Sequence, residues 1–302
     1  MSDSKFRSLF ENVLEGVYQS TPGGRLLTVN PALVRMFGYT SEEEFLQVNI
    51  VRDLYLDAED RSKHLRYLDN TGELRNAELT LRRKDGTPLV VLENSRAARD
   101  EHGDLLYYEG TLTDITEHKR SQRRERDRNT ILELIARNDK LENILGAVAC
   151  MVEHQFPRSM AAVDMLEEGR LYCAASPRLP PGFTAAMDGM AAGESNASAG
   201  TAAHSGRRIV TVSILSDPLW SAWREIALRH EIRAAFSEPI SLSSGKVVGT
   251  LSLYNNREGE PGDEVLELME QASRLAAIAI DRRLLNDQLI FQAQHDAVTK
   301  LP

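Results

Sequence analysis

The side chains best suited to acid–base, metal or thiol chemistry are scattered through this sequence. The seven histidines lie at positions 64, 102, 118, 154, 204, 230 and 295. None of them pairs with another at the spacing of a metal site. Cys150 and Cys173 follow no zinc spacing either, and they fit a reducing compartment better than a disulfide framework. The motifs of P-loop proteins, dinucleotide-binding proteins, Gly-x-Ser-x-Gly hydrolases and zinc proteases are missing from the sequence. We therefore expect no catalytic site and no structural metal within residues 1–302.

Binding of a small molecule is the chemistry that the second half of the sequence favours. Small-molecule sites combine apolar walls with a few placed polar groups, and six residues have that composition. These candidates are Ser198, Thr201, Trp220, Trp223, His230 and Phe236. Trp223 also shares a predicted helix face with Ile226, which is the pattern of a core anchor. Lining a pocket and filling a core both remain open for these side chains.

The first 117 residues predict an α+β domain. Apolar residues from Phe6 to Val17 recur at helical spacing, so we expect an opening amphipathic helix. A hairpin follows around Pro22-Gly23-Gly24, and then short helices, one of which spans Asp57–Leu68. Three longer strands joined by Asp/Gly turns predict an antiparallel meander. The meander strands are Arg75–Arg83, Pro88–Ala98 and Leu105–Asp114.

A helical segment is predicted from Thr116 to Val152. Its apolar residues alternate at spacings of three and four, the pattern of a coiled-coil seam. The seam positions are Ile131, Leu134, Asn138, Leu141, Leu145, Val148 and Val152. Asn138 is the one polar seam residue, and we expect it to fix the register of two paired helices. The basic residues between 119 and 128 fit a solvated linker helix.

The second half predicts a sheet flanked by long helices. The expected strands are Met160–Leu166, Arg170–Ala175, Arg208–Ile214, Ile232–Leu242 and Lys246–Tyr254. A helix is expected over Pro218–His230, and a long final helix over Val265–Phe291. The long helices would lie side by side and form a dimer surface. The net charge of −9 disfavours nucleic-acid and anionic-membrane partners, and no apolar run reaches the ~18–20 residues of a membrane span. We expect a cytoplasmic location.

Residues 1–117 resemble a PAS sensor domain. The similarity rests on Asn30-Pro31-Ala32, Phe37-Gly38-Tyr39, Arg82-Arg83-Lys84-Asp85-Gly86 and Tyr108-Glu109-Gly110-Thr111, followed by Asp114-Ile115-Thr116. The resemblance implies that Asp114 and Thr116 tie the domain to its outgoing helix, and Phe37 is a candidate pocket residue. His64 occupies a place that resembles that of the proximal histidine in oxygen-sensing haem PAS proteins. A packed, hydrogen-bonded histidine is the alternative, and the sequence requires no cofactor.

Residues 128–287 are similar to a GAF domain, with residues 118–152 as a coiled-coil signalling helix that runs into it. The similarity rests on Gly200-Thr201-Ala202-Ala203, Ser216-Asp217-Pro218-Leu219-Trp220, Ser237-Glu238-Pro239-Ile240 and Gly249-Thr250-Leu251-Ser252-Leu253-Tyr254. Relatives often read Gly-Ser-Cys-Gly-Thr where this sequence reads Ala197-Ser198-Ala199-Gly200-Thr201. Thiol chemistry at that place is therefore not expected, and neither cysteine has the context of a bilin attachment site.

Residues 288–302 are predicted to form the end of an output helix and the start of a GGDEF domain, because His295–Pro302 resembles the first residues of that domain. This resemblance implies an input module of a bacterial diguanylate cyclase whose catalytic residues lie beyond Pro302. The expected partners are a second copy in a parallel homodimer, an unidentified small molecule and the GGDEF domain. The expected function is control of cyclic di-GMP output through helix rearrangement. The alternatives are part of an active cyclase, a haem-based gas sensor using His64, and a constitutive dimerisation scaffold.

Overall fold

The computed structural model describes residues 2–294. It divides into two compact units, Met1–Gln122 and Arg123–Pro302, each of which mixes helices with an antiparallel sheet. The predicted α+β class is confirmed. None of the described helices is long and apolar enough to cross a membrane.

The first unit is a five-stranded antiparallel sheet in the order β2-β1-β5-β4-β3. Its strands are β1 (Gly16–Ser20), β2 (Leu26–Val29), β3 (Glu73–Arg82), β4 (Pro88–Arg99) and β5 (Leu105–Asp114). Its helices are α1 (Ser2–Asn12), α2 (Pro31–Met36), α3 (Glu42–Leu46) and α4 (Ala58–Thr71), with a π-helical turn at Ile50–Leu54. Leu33, Phe37 and Phe45 pack with Leu89 and Val91 in one apolar core.

Short side chains set the ends of the helices in this unit. The Oδ1 of Asn30 accepts from the backbone N of Leu33 (3.0 Å) and caps α2, and it also accepts from Val17 N of β1 (2.9 Å). Pro31 follows at the first helical position, where a missing N–H costs nothing. Ser41 caps α3 in the same way, and Gly72 ends α4 in the left-handed conformation with φ 77°. Asn30-Pro31 and Ser41 therefore mark the starts of α2 and α3.

The opening helix is shorter than its apolar spacing predicts. It ends at Asn12, and Val17 lies on β1, opposite Thr111 of β5. Leu14 is 89% exposed, so it does not continue the apolar face. The backbone of Gly16 approaches Leu33 so closely that a Cβ there would lie 2.3 Å from the Leu33 Cδ1. This approach places the segment in the sheet and ends the helical periodicity.

The second unit is a six-stranded antiparallel sheet in the order β8-β7-β6-β11-β10-β9. Its strands are β6 (Ser159–Glu167), β7 (Arg170–Ala175), β8 (Met190–Ala191), β9 (Ile209–Thr211), β10 (Ala234–Ser241) and β11 (Val247–Asn255). Its helices are α6 (Leu141–Gln155), α7 (Pro181–Met187), α8 (Ala197–Ser205), α9 (Arg224–Arg229) and α10 (Asp263–Gln294). Helix α5 (Thr116–Ala136) begins in the first unit and ends in the second.

Both faces of this second sheet are covered. Val163 and Phe236 face a core that includes residues of α6 and α10. Their strand neighbours Ala162 and Ala235 face a different core, which includes Trp220. Because successive side chains of a strand point to opposite faces, a change of one position moves a residue from one core to the other. The sheet separates the long helices from the α7–α9 side.

The continuous coiled-coil helix predicted over Thr116–Val152 is wrong. Helix α5 ends at Ala136 and α6 begins at Leu141, and Asn138 lies in the break with φ 54°. Asparagine tolerates this left-handed conformation better than most residues do, so it ends a helix rather than fixing register in a seam. Its Oδ1 accepts from Nδ2 of Asn286 on α10 (2.7 Å), and Arg282 of α10 donates to the last carbonyl of α5 (3.2 Å).

The other seam residues pack within one chain. Four of them are buried in the core between the sheet and the long helices, and the remaining two pack against that core. The buried ones are Ile131, Leu145, Val148 and Val152, and the partly buried ones are Leu134 and Leu141. The spacing of three and four therefore arises because α5 and α6 pack against the core of the second unit.

The predicted helix over Pro218–His230 is also divided. A 3₁₀ turn covers Pro218–Trp220, and α9 follows from Arg224. Asp217 caps the 3₁₀ turn by accepting from Leu219 N (3.0 Å). The strand predicted over Arg208–Ile214 is limited to β9. The expected start of a GGDEF domain at His295–Pro302 lies outside the described residues.

Candidate functional site

A buried polar cluster crosses the interior of the first unit. Glu93 lies in the middle of β4 and is 2% exposed. The hydroxyl of Tyr18 on β1 donates to its Oε1, and Nε2 of His64 on α4 lies 3.3 Å from its Oε2. Arg61 is buried too, and it shares a helix face with His64 because the two are three residues apart. The guanidinium of Arg61 lies over the ring of Tyr55, 5.6 Å from its centroid.

The charges of this cluster follow from its contacts. Burial by itself would raise the pKa of Glu93, but the close approach of His64, the hydrogen bond from Tyr18 and the charge of Arg61 hold that pKa below its ordinary value. Burial and the Glu93 charge raise the pKa of Tyr18 well above its ordinary value. At neutral pH the cluster therefore contains a carboxylate, a guanidinium and a neutral tyrosine that acts as a donor.

A cavity of about 30 Å³ adjoins the cluster. Its polar wall is made by Tyr18, Tyr55, Arg61 and Glu93. Its apolar wall is made by Leu26, Leu33, Phe37, Phe45, Ile50, Leu54, Leu81 and Leu112. The structure thus places the predicted pocket residue Phe37 against a cavity. Nε and Nη2 of Arg61 are buried and have no hydrogen-bond partner in the described residues.

Haem does not fit at His64. The Nε2 atom that would bind iron faces the Glu93 carboxylate at 3.3 Å, and His64 is not among the residues that line the cavity. A volume of about 30 Å³ has room for about two water molecules, far less than a porphyrin needs. His64 is the packed histidine whose ring faces a buried carboxylate.

Thr116 and Asp114 join the start of α5 to the sheet of the first unit. The Thr116 Oγ1 accepts from the backbone N of Val90 (3.0 Å), and Ile115 N donates to the Val90 carbonyl (2.9 Å). Asp114 accepts from Thr116 N (2.8 Å) and forms an ion pair with Arg83 (2.7 Å). Burial would raise the pKa of Asp114, but the bonds from Thr116 and Arg83 lower it, so the carboxylate is charged. These bonds place the first turn of α5 against β4.

In the second unit, Ser198 and Trp220 belong to a buried hydrogen-bond chain. Trp220 Nε1 donates to Ser198 Oγ (3.0 Å), which donates to Thr211 Oγ1 (3.1 Å). The Thr211 hydroxyl in turn donates to Asp217 Oδ2 (2.8 Å). Each polar group has a partner within the chain, so this set holds α8, β9 and the 3₁₀ turn together.

The remaining predicted residues of this unit lie in three places. Trp223 Nε1 donates to Asn196 Oδ1 (2.6 Å), and Thr201 lies beside the same loop, which its hydroxyl contacts at Glu194 O (3.4 Å). His230 packs against Phe183 of α7, with ring centroids 6.2 Å apart. Phe236 is in the core with the long helices, on the opposite face of the sheet. The structure therefore does not bring all six predicted residues to one pocket.

A small cavity in the second unit lies beside an acid that the sequence analysis did not single out. The cavity, of about 20 Å³, is lined by Asp164 of β6, Cys173 of β7, Asp188 and Tyr254 of β11, together with residues of α7. Burial first, and then the charge of Asp188, raise the pKa of Asp164 to about 7. An open groove of about 520 Å³ shares Cys173 and Asp188 with the cavity. Among the described residues, no cluster of His, Cys, Asp and Glu could hold a metal ion.

Comparison with known families agrees with this two-unit architecture. One PAS domain family matches residues 14–117, and one GAF domain family matches residues 141–281. The chain carries a PAS domain followed by a GAF domain. The buried Glu93 cluster therefore belongs to the PAS domain, and the Asp164 cavity belongs to the GAF domain.

Individual relatives cover these two domains to different extents. The methyl sulfide methyltransferase-associated sensor of Methanosarcina acetivorans is 30% identical over 284 residues, which are 92% of this chain and 28% of that protein. A domain of a sensory box sensor histidine kinase/response regulator from Geobacter sulfurreducens is 25% identical and covers 37% of this chain and 94% of its own, with a TM-score of 0.31. A phycoerythrobilin-bound GAF domain from a cyanobacterial phytochrome is 16% identical and covers 54% and 97%, with a TM-score of 0.44.

The residues missed in both domains share one signal in the sequence. Glu93 follows Val90-Val91-Leu92 on β4, and Asp164 follows Ala161-Ala162-Val163 on β6. An acid within an apolar strand is costly unless other groups compensate its charge. Such an interruption therefore indicates a buried polar site, although it does not name the partner.

Proposed function

We propose that this chain is a sensory and dimerisation module that controls a downstream cyclic di-GMP output domain by rearranging its helices. The main support is that strand β4 connects the buried polar cluster to the start of α5. Glu93 and Val90 both lie on β4, so the strand that holds the buried polar cluster also holds Thr116 at the start of α5. A ligand that favours one position of β4 favours one position of the first turn of α5, which is a population shift. That the relative from Methanosarcina is a sensor supports the assignment.

The last helix supports pairing with a second copy. Leu285 and Leu289 of α10 are 53% and 63% exposed, and Ile278 lies seven residues before Leu285 on the same stripe. Spacings of seven and four place these apolar side chains on one face, as in a coiled-coil seam. We propose that two α10 helices pair in parallel along this face. Such a pair would hold two GGDEF domains side by side. This part of the proposal is based on the resemblance of His295–Pro302 to the start of a GGDEF domain.

Light scattering on the 302-residue chain tests the pairing. We expect the wild-type chain to be a dimer at micromolar concentration and Leu285→Asp to be a monomer, because a buried seam cannot accept an unpaired carboxylate. Leu215→Asp is the matched control, since Leu215 is also exposed and follows Ile214, which lies in the core on the other side of the sheet from α10. A wild-type monomer, or a dimer that survives Leu285→Asp, contradicts the proposed pairing.

A constitutive scaffold is the second candidate, favoured by the satisfied chain from Trp220 to Asp217. If the GAF interior is filled by its own side chains, it has no room for a ligand, and the chain would dimerise without a signal. Native mass spectrometry separates the two functions, because a retained or added ligand that changes the dimer supports sensing. A dimer that no ligand alters supports a scaffold. We also propose the cytoplasm as the location, since Cys150 and Cys173 are both free thiols.

A further inference from the structure

The guanidinium of Arg61 is a buried charged group in the PAS interior. Its side chain lines the internal cavity, and the residue is 4% exposed. Nε and Nη2 have no hydrogen-bond partner within the described residues, although a buried charged donor without a partner is costly. Glu93 is not the partner of these two atoms, although its charge lies close by and Tyr18 donates to only one of its oxygens. Two donors of a planar fork are therefore left without an acceptor on a side chain that lines the cavity.

We propose that the PAS cavity binds a short monocarboxylate, of the size of formate or acetate, through the free edge of Arg61. Arginine has donors and no acceptor, and its planar fork matches the two oxygens of a carboxylate. The rest of the lining is largely apolar and includes Leu33, Phe45 and Leu81, which suits a hydrogen or a methyl group. This inference deepens the proposed sensory function and rests on it for the meaning of the binding event.

The size of the cavity limits the ligand. A volume of about 30 Å³ corresponds to about two water molecules, so formate or acetate fits only after small shifts of the wall, and an aromatic acid is far too large. Phosphate is disfavoured by its higher charge beside Glu93 and by the apolar wall, which offers its other oxygens no donors. A ligand of three or four heavy atoms reaches an affinity on the order of millimolar. The Glu93 carboxylate in the same wall adds like-charge repulsion, which keeps the affinity in this weak range.

Titration of the 302-residue chain with sodium acetate tests the inference, with sodium chloride at equal ionic strength as the reference. We expect saturable binding of acetate and formate by calorimetry, and no saturable binding of chloride, phosphate or benzoate. Arg61→Lys keeps the charge but loses the fork, so acetate binding should weaken by about tenfold or more. Arg66→Lys is the matched control, because Arg66 is exposed on the same helix and should leave binding unchanged.

The wild-type size series keeps the inference testable even if Arg61→Lys does not fold. Absence of saturable acetate and formate binding by the wild-type chain overturns it, as does equal binding of benzoate. Equal acetate binding by a folded Arg61→Lys also overturns it. A different result would refute the proposed function and leave the carboxylate site intact: acetate binds through Arg61, but the chain is a monomer. A dimer that binds no carboxylate refutes only the carboxylate site.

Discussion

Replacing Asp164 by asparagine should stabilise the GAF domain in a strongly pH-dependent way. Burial and the charge of Asp188 raise the pKa of Asp164 to about 7, whereas an ordinary aspartate has a value of 3.8. Between these two pH values the folded state keeps a proton that the unfolded state has lost. The free energy of unfolding of the wild-type domain therefore falls as the pH rises from about 4 to about 7. Asparagine cannot ionise, so the variant avoids this loss.

The structure sets the size of the effect. A difference between 3.8 and about 7 corresponds to about 4 kcal/mol, since one pKa unit is worth about 1.4 kcal/mol. The Asp164 side chain is partly exposed, and water that reaches it weakens the penalty. We therefore expect Asp164→Asn to raise the free energy of unfolding by about 2 kcal/mol at pH 8 and by almost nothing at pH 4.

Tryptophan fluorescence is a selective assay because both tryptophans, Trp220 and Trp223, lie in the GAF domain. Urea unfolding should be followed for the wild-type chain and the variant at intervals from pH 4 to pH 8. Glu167→Gln is the matched control, since Glu167 ends the same strand and is exposed. A constant difference between Asp164→Asn and wild type across this range would refute the argument that burial and Asp188 hold a proton on Asp164.

Two further predictions concern the PAS domain. Glu93 has a lowered pKa in the folded state, so its contribution to stability is complete above its ordinary value of 4.5 and is lost as the pH falls through the folded-state pKa. Glu93→Gln should therefore lower the free energy of unfolding by about 1–3 kcal/mol at pH 7. It should also flatten the acid side of the plot of stability against pH, measured by circular dichroism. Parallel plots for the variant and the wild type would contradict this expectation. Thr116→Val keeps the shape of the side chain but leaves Val90 N without its acceptor. The variant should therefore lower the free energy of unfolding by about 1–3 kcal/mol and speed amide hydrogen exchange in the first turn of α5. Thr113→Val on β5 serves as the control, and equal exchange rates in the two variants would refute the role of Thr116.

Local signals in the sequence predicted much of the fold. Asn30-Pro31, Ser41 and Gly72 act through bonds or backbone angles within a few residues, so their positions fix helix ends without knowledge of the whole. The meander strands are confirmed to within a few residues, because their turns contain Asp and Gly at the required places.

The candidate site was less predictable because its contacts are long-range. Glu93 meets Tyr18 across 75 residues of sequence, and no local pattern pairs them. Successive side chains of β10 point to opposite faces of the sheet, so Phe236 packs with the long helices, whereas its neighbour Ala235 faces the core that contains Trp220. Asn138 shows a different limit: spacings of three and four fit both a continuous seam and two helices joined by a left-handed residue. Apolar periodicity counts positions and does not detect that break.

Strand β6 offers a route to altering the GAF domain by design. Val163 packs with the long helices, whereas Ala162 and Asp164 face the cavity side of the same strand. Every second position can therefore be varied to change the size and polarity of the cavity while the helix-facing residues are left intact. A library restricted to the cavity-facing positions would change the lining of the cavity and preserve the packing of the long helices, with a backbone only one strand thick between them.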